Sequence, residues 1–261
     1  MNEPALLFVH AHPDDESILT GAILAKAASL GIRTLIAFGS RGDAGETKLD
    51  LDGETLGERR VREAEAACAE LGVDRIEWLS YDDSGMEGTE TTANPQAFSN
   101  ADPAAVADEL VGLFADERIV AVIGYDDNGT YGHPDHKQVH AVAHAVAAPL
   151  GADWVLDATY NREYLATLPG ADDAEPDPNF AASEADLTHF VDGDEWFDAK
   201  WSALMHHLSQ HPDDVDFENP PIDDFKARFG TEWFITVPVN GATDLGVLEA
   251  VLEPKANWSA S

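Results

Sequence analysis

The sequence predicts an α/β fold in which a mainly parallel sheet carries helices on both faces. Two observations lead there. At 261 residues and 44% hydrophobic content the chain can bury a sizeable core, and short β-rich apolar runs alternate with longer amphipathic ones through its first half. The strands are read at 5–10 (ALLFVH), 32–38 (IRTLIAF), 75–80 (RIEWLS), 120–124 (VAVIG) and 154–160 (WVLDATY). The intervening helices are read at 16–31, 56–71, 103–114 and 134–148. Right-handed crossovers place such strands in parallel, and ligands gather beyond their carboxyl ends.

Beyond Pro169 the pattern weakens. An acidic stretch at about 169–186 reads as a surface loop, a last helix as EWFDAKWSALMHHLSQ (195–210), and a late strand as TEWFITVPV (231–239). The tail from about Lys255 is expected to fray. No repeat or linker divides the chain, so residues 1–261 are expected to form a single domain with a less regular C-terminal part.

A formal net charge of -35 argues against nucleic acid and anionic membrane as partners. An acidic excess spread over helices and loops reads as a solvated surface in a salt-rich, halophilic cytoplasm. The single Cys68 excludes an internal disulfide and an all-cysteine zinc site, so any metal must be held by His, Asp or Glu. No basic leader or membrane-length apolar run is read, and a cytoplasmic location is expected. The oligomeric state stays open, a homo-oligomer included.

The first strand runs into AHPDDES, where a dinucleotide-binding fold would carry its glycines. Instead, Asp14, Asp15 and Glu16 crowd a helix amino terminus, which would repel a pyrophosphate and suits a cation. His12 and Asp15 offer one nitrogen and one oxygen to zinc, leaving Asp14 as a base beside the metal. The competing reading makes Asp14 or Asp15 a helix cap and His12 a surface residue. A second cluster, His133, Asp135 and His136, follows the strand VAVIG, with Pro134 suited to a first helical turn. Two strand-end loops of one parallel sheet can converge on one ion.

The AHPDDE and HPDH motifs, with YDDSGM (81–86), the Arg-rich helix GERRVREAEAACAELGV and more weakly KWSALMHHLSQ, resemble the LmbE-like, or PIG-L, family of zinc-dependent de-N-acetylases. The nearest branch deacetylates N-acetylglucosaminyl-inositol in mycothiol synthesis. The resemblance implies a Rossmann-like sheet, zinc on His12, Asp15 and His136, and Asp14 as general base. It also implies that a protonated His133 stabilises the oxyanion or acts as acid, that Asp135 orients His133, and that Tyr131 lies beside the reacting carbonyl. Arg60 and Asp83 would contact sugar or inositol hydroxyls, and His207 is a candidate for the substrate site. The expected product pair is a free amine and acetate. Iron(II) remains an alternative to zinc, since the ligand set suits both.

Other readings stay open. Arg60 could be an exposed helix residue pairing with Glu63, and Asp83 a turn residue. His136, His140 and His144 recur every four residues, and an i, i+4 pair is the spacing zincins use, but no Glu follows His136 as a base. His144 lies about 12 Å along the helix from His136, too far for a shared ion, so His140 and His144 are expected on a partly buried face, satisfied by neighbours. His206, His207 and His211 surround a third motif, His211-Pro212-Asp213-Asp214, which follows a helix and is left out of the site. Alternatives to the deacetylase are an amidase of thiol conjugates, a noncatalytic metal-dependent sugar-binding protein, or a nucleotide-binding domain holding magnesium.

Overall fold

β1 (Pro4–His10) is the pivot of the sheet, buried along nearly its whole length on both faces. This is why ALLFVH reads as a continuous apolar run and not an alternating one. It pairs in parallel with β2 (Arg33–Phe38) on one side and β4 (Arg118–Tyr125) on the other; β3 (Arg75–Trp78) extends β2 and β5 (Trp154–Thr159) extends β4, again in parallel. The computed structural model describes residues 3–169, 177–211 and 222–259. In it the strands follow the order β3-β2-β1-β4-β5-β7-β6-β8, with β6 at His189–Val191, β7 at Glu232–Pro238 and β8 at Glu253–Pro254. The order reverses between β1 and β4, and that crevice is where a doubly wound sheet receives ligands.

The helices divide between the faces. α1 (Asp15–Leu19), α2 (Gly21–Ser29), α3 (Leu56–Leu71) and α8 (Phe197–Leu204) pack on one another, while α4 (Pro103–Leu113) and α6 (Pro134–Leu150) pack together on the opposite side. Their ends follow local chemistry. Thr55 and Glu58 form a capping box on α3, which stops at Gly72 with φ 75°. Asp102 caps α4 before Pro103, and His133 caps α6 before Pro134.

The structure corrects several sequence expectations. Residues 16–31 form two helices, because Glu232, at the start of β7 (Glu232–Pro238), accepts the Ala22 and Ile23 backbone N–H groups at 2.7 and 2.9 Å and caps α2 separately. Glu232 also takes a 2.7 Å salt bridge from the buried Lys200 of α8. Gly21 leaves room for that lysine, since a Cβ there would lie 2.9 Å from Lys200 Cγ. The late strand β7 is antiparallel to β5, and β6 (His189–Val191) and β8 (Glu253–Pro254), which the sequence did not reveal, continue the antiparallel part. The helix expected at 195–210 ends at Leu204, and a 3-10 turn covers Leu208–Gln210.

Three short helices, α5 (Gly129–Gly132), α7 (Arg162–Leu165) and α9 (Ile222–Phe229), were not read either. The tail does not fray at Lys255: Trp258 packs edge-on against Trp233 at 4.8 Å and against Tyr164 at 5.4 Å. Within the acidic stretch, residues 170–176 lie outside the described residues, while Ala181 and Ala182 are buried. Pro212, Asp213 and Asp214 of the third motif also lie outside them.

Candidate active site

The loops after β1 and β4 meet at the crevice. His12 and Asp15 follow β1; His133, Asp135 and His136 follow β4; Asp83 comes from the loop after β3, and Arg60 reaches in from α3. All of these side chains are buried, while Asp14 is half-buried and Tyr131 stands 45% exposed at the rim. His12, Asp14, Arg60, Asp83, Tyr131 and His133 line a cavity of about 230 Å³. A larger groove over Arg41, Asp52 and Glu58 is shallow and contains no histidine. The smaller cavity is the candidate because the ionisable groups converge there.

Asp15 bridges the two histidines. Its Oδ2 lies 3.6 Å from His12 Nδ1 and its Oδ1 lies 3.3 Å from His136 Nε2. Two ligands about 2.0–2.1 Å from a tetrahedral zinc stand about 3.4 Å apart, and these separations are close to that, each histidine facing a different Asp15 oxygen. Ring nitrogens of His12, His133 and His136 also lie within 4.8 Å of one another. The far nitrogens are held from behind. His136 Nδ1 faces Thr130 Oγ1 at 3.3 Å, and His12 Nε2 faces Asp135 Oδ2 at 3.1 Å. That is the outer-shell support that fixes tautomer and ring orientation in metal sites.

Positive charge is favoured here. Burial alone would depress the His12 imidazole, but hydrogen bonds to the Asp135, Asp15 and Asp83 carboxylates overrule it and hold its pKa well above the usual histidine value. A donor set of imidazoles and carboxylates, crowded with negative charge and free of thiols, fits a divalent transition ion such as zinc or iron(II).

Asp135 meets His133 through its backbone and not through its carboxylate. Its carboxylate accepts the Ser84 N–H at 2.9 Å and the Ser99 N–H at 2.7 Å, and its remaining contact is His12. His133 Nδ1 instead accepts the Asp135 backbone N–H at 3.2 Å. This bond decides the tautomer, because a neutral ring whose Nδ1 accepts must carry its proton on Nε2. Burial, then repulsion from His12 and His136, lowers His133 to about 4, which favours a neutral ring with an Nε2–H donor.

Asp14 does not cap the helix. Its backbone is left-handed at φ 107°, a conformation that non-glycine residues adopt at a cost and that clusters at functional sites. Glu16 supports it, with Oε2 accepting the Asp14 N–H at 2.9 Å. Burial raises the Asp14 carboxyl to about 6, opposed by Arg60, which stands 3.4 Å away. Arg60 makes no pair with Glu63. It donates to the Pro13 and Gly42 carbonyls at 2.6 and 2.8 Å and braces the Asp14 loop, while Glu63 accepts from Ser209. Asp83 is both a turn residue, accepting the Gly85 N–H at 2.8 Å, and a cavity wall 3.4 Å from His12.

The expectation for His207 is corrected. It is fully buried with Nε2 2.6 Å from Glu16 Oε1, so it cannot meet substrate. The place of Glu16, between His207 and the Asp14 backbone, was missed by the sequence reading. The motif's last letter was the signal, since an acid expected on a helix surface is here fully buried. Tyr131 lies with its hydroxyl 3.4 Å from His136 Nε2. His140 turns away from this group and faces the Tyr125 carbonyl at 2.9 Å.

Comparison with known proteins gives the family and the fold. Residues 7–147 match the sequence profile of PIG-L, GlcNAc-PI de-N-acetylase. The chain belongs to the PIG-L family. Among its relatives is a 1D-myo-inositol 2-acetamido-2-deoxy-alpha-D-glucopyranoside deacetylase of Thermobifida fusca, 37% identical over 241 residues, covering 80% of this chain and 84% of the relative. The fold of N,N'-diacetylchitobiose deacetylase from Pyrococcus horikoshii superposes with a TM-score of 0.59 at 21% identity, covering 90% of this chain and 84% of that one. A 4-carboxy-2-hydroxymuconate hydratase from Pseudomonas putida shares the fold at TM-score 0.57 and 18% identity, covering 94% and 99%. The PIG-L fold therefore supports more than one chemistry, and substrate must be argued from the site.

Proposed function

We propose that this chain is a zinc-dependent hydrolase that removes the N-acetyl group from a GlcNAc-containing small molecule of the GlcNAc-inositol type, giving a free amine and acetate. The observation that carries this reading is the meeting of HPDD and HPDH at the crevice, with Asp14 beside the donor set but outside it. The activity named for the relatives supports the substrate class. His12, Asp15 and His136 would hold the metal, with iron(II) able to replace zinc. A bound divalent ion supplies a Lewis acid for the amide and lowers the pKa of water.

The chain's own residues do the rest. Asp14, raised toward neutrality yet ionised there, takes the proton of the attacking water. His133 Nε2–H donates to the amide oxygen as negative charge develops on it, a bond that strengthens toward the transition state. Asp14 then returns its proton to the departing nitrogen. Arg60 fixes the Asp14 loop through Pro13, Asp135 fixes His12, and Asp83 and Tyr131 flank the substrate's place in the cavity. Magnesium prefers an all-oxygen shell, which the imidazoles do not provide.

We also propose that residues 1–261 act as one deacetylase domain in a salt-rich cytoplasm. No helix among the described residues is long and apolar enough to cross a membrane. The activity is tested by metal analysis of the purified protein together with amine release from GlcNAc-inositol and from simple N-acetyl sugars. Zinc-loaded protein that releases no amine from any of them would contradict the reading.

A further inference from the structure

A second group of metal-ligating side chains lies outside the cavity, farther along α6. His140 and His144, one helical turn apart, lie with ring centroids 4.4 Å apart and planes tilted by 45°, and Asp157 of β5 faces both. Asp157 Oδ1 lies 2.9 Å from His144 Nε2 and 3.5 Å from His140 Nδ1. One ligand atom from each of the three falls within 4.8 Å of the others. The Tyr125 carbonyl oxygen stands 2.9 Å from His140 Nδ1.

We propose that His140, His144 and Asp157 form a second site for a divalent first-row transition ion, separate from the one at His12, Asp15 and His136. Two imidazoles and one carboxylate are a donor set for zinc, copper or nickel, not for calcium or magnesium. Ligands of a tetrahedral zinc stand about 3.4 Å apart, so the 3.5 Å separation already fits and the 2.9 Å one must open by about half an ångström. The ion takes the place of the His144 Nε2 proton that points at the carboxylate and of the His140 Nδ1 proton now held by the Tyr125 carbonyl.

The supports are rigid, a long helix and a strand in the middle of the sheet. Asp157 is almost completely buried, while the His140 and His144 side chains are 28% and 33% exposed, so an ion has a route from solvent and water can complete its shell. An ion here ties α6 to β5, and α6 carries Asp135 and His136 at its first turn. The second site thereby stiffens the platform from which the cavity's ligands project.

The test is metal stoichiometry on the full chain, stripped with chelator and equilibrated with Zn²⁺. Wild-type protein is expected to retain two ions per chain, His144→Ala one, His136→Ala one, and the double variant none. Circular dichroism confirms that each variant is folded. Cu²⁺ bound to His136→Ala is expected to show paramagnetic-resonance coupling to two imidazole nitrogens, lost in the double variant. A single zinc per wild-type chain, unchanged in His144→Ala, would overturn the second site and leave a hydrogen-bonded cluster. Failure of the catalytic ligand set reads differently: His136→Ala would then match wild type while His144→Ala still loses one ion.

Discussion

The Asp135 carboxylate lies 3.1 Å from His12 Nε2, joining the loops after β1 and β4 across the crevice where the strand order reverses. Outer-shell partners of this kind tune the metal through the ligand they hold. Asp135→Asn is expected to weaken zinc binding by about 10–100-fold, read by competition with a chromogenic chelator. Unchanged affinity with a large fall in turnover would mean that Asp135 works through His133 after all.

His207 separates a buried support from a substrate contact. Removing it leaves the Glu16 carboxylate buried without its partner, which costs roughly 3–5 kcal/mol of stability for pairs of this kind. It also loosens the acceptor of the Asp14 N–H. His207→Ala is expected to lower the melting temperature and kcat while leaving KM near wild type, with partial rescue by His207→Gln. A rise in KM at unchanged kcat would restore the substrate-contact reading.

The His140, His144 and Asp157 group carries a pH signature in chelator-treated protein. Burial pushes the Asp157 carboxyl up, but bonds from His140 and His144 outweigh it and leave its pKa below the usual range. Burial likewise opposes a charged His140, and Asp157 overrules it and raises the pKa. The lowered acid stabilises the fold above its unfolded value of about 3.9 and loses that contribution as pH falls through its folded value. The raised histidine contributes fully below about 6.5 and is lost as pH rises through its folded value. The gap in melting temperature between wild type and Asp157→Asn should therefore be larger at pH 5.5 than at pH 8.5. An equal gap would remove charge from the account of this cluster.

Salt addresses the net charge of -35. Self-repulsion on this scale is screened as the Debye length shrinks from about 10 Å at 0.1 M to about 3 Å at 1 M. The melting temperature should climb as KCl is raised from low to molar concentration. Full stability without salt would contradict the halophilic reading.

The parallel half of the fold was legible because β1, β2, β4 and β5 are buried apolar runs separated by amphipathic helices, of which α3, α4 and α6 carry local caps. The HPDD and HPDH motifs could be placed because both follow such strands. What sequence could not show depends on distant partners. The break at Thr20–Gly21 is imposed by Glu232 and Lys200, the anchoring of the tail by Trp233 and Tyr164, and the Asp135–His12 pairing by strand order. His207 looked like a site residue because of its neighbours in the chain, and burial against Glu16 is a property of packing that no spacing records.

The central claim is that Asp14 is the base and not a ligand. Its most direct test compares wild type with Asp14→Ala for metal content and for acetate and amine release from GlcNAc-inositol. The variant is expected to bind zinc at the wild-type level and to lose turnover by about 10²–10⁴-fold, the usual contribution of a positioned acid or base. Loss of the metal, or amine release at the wild-type rate, would contradict it.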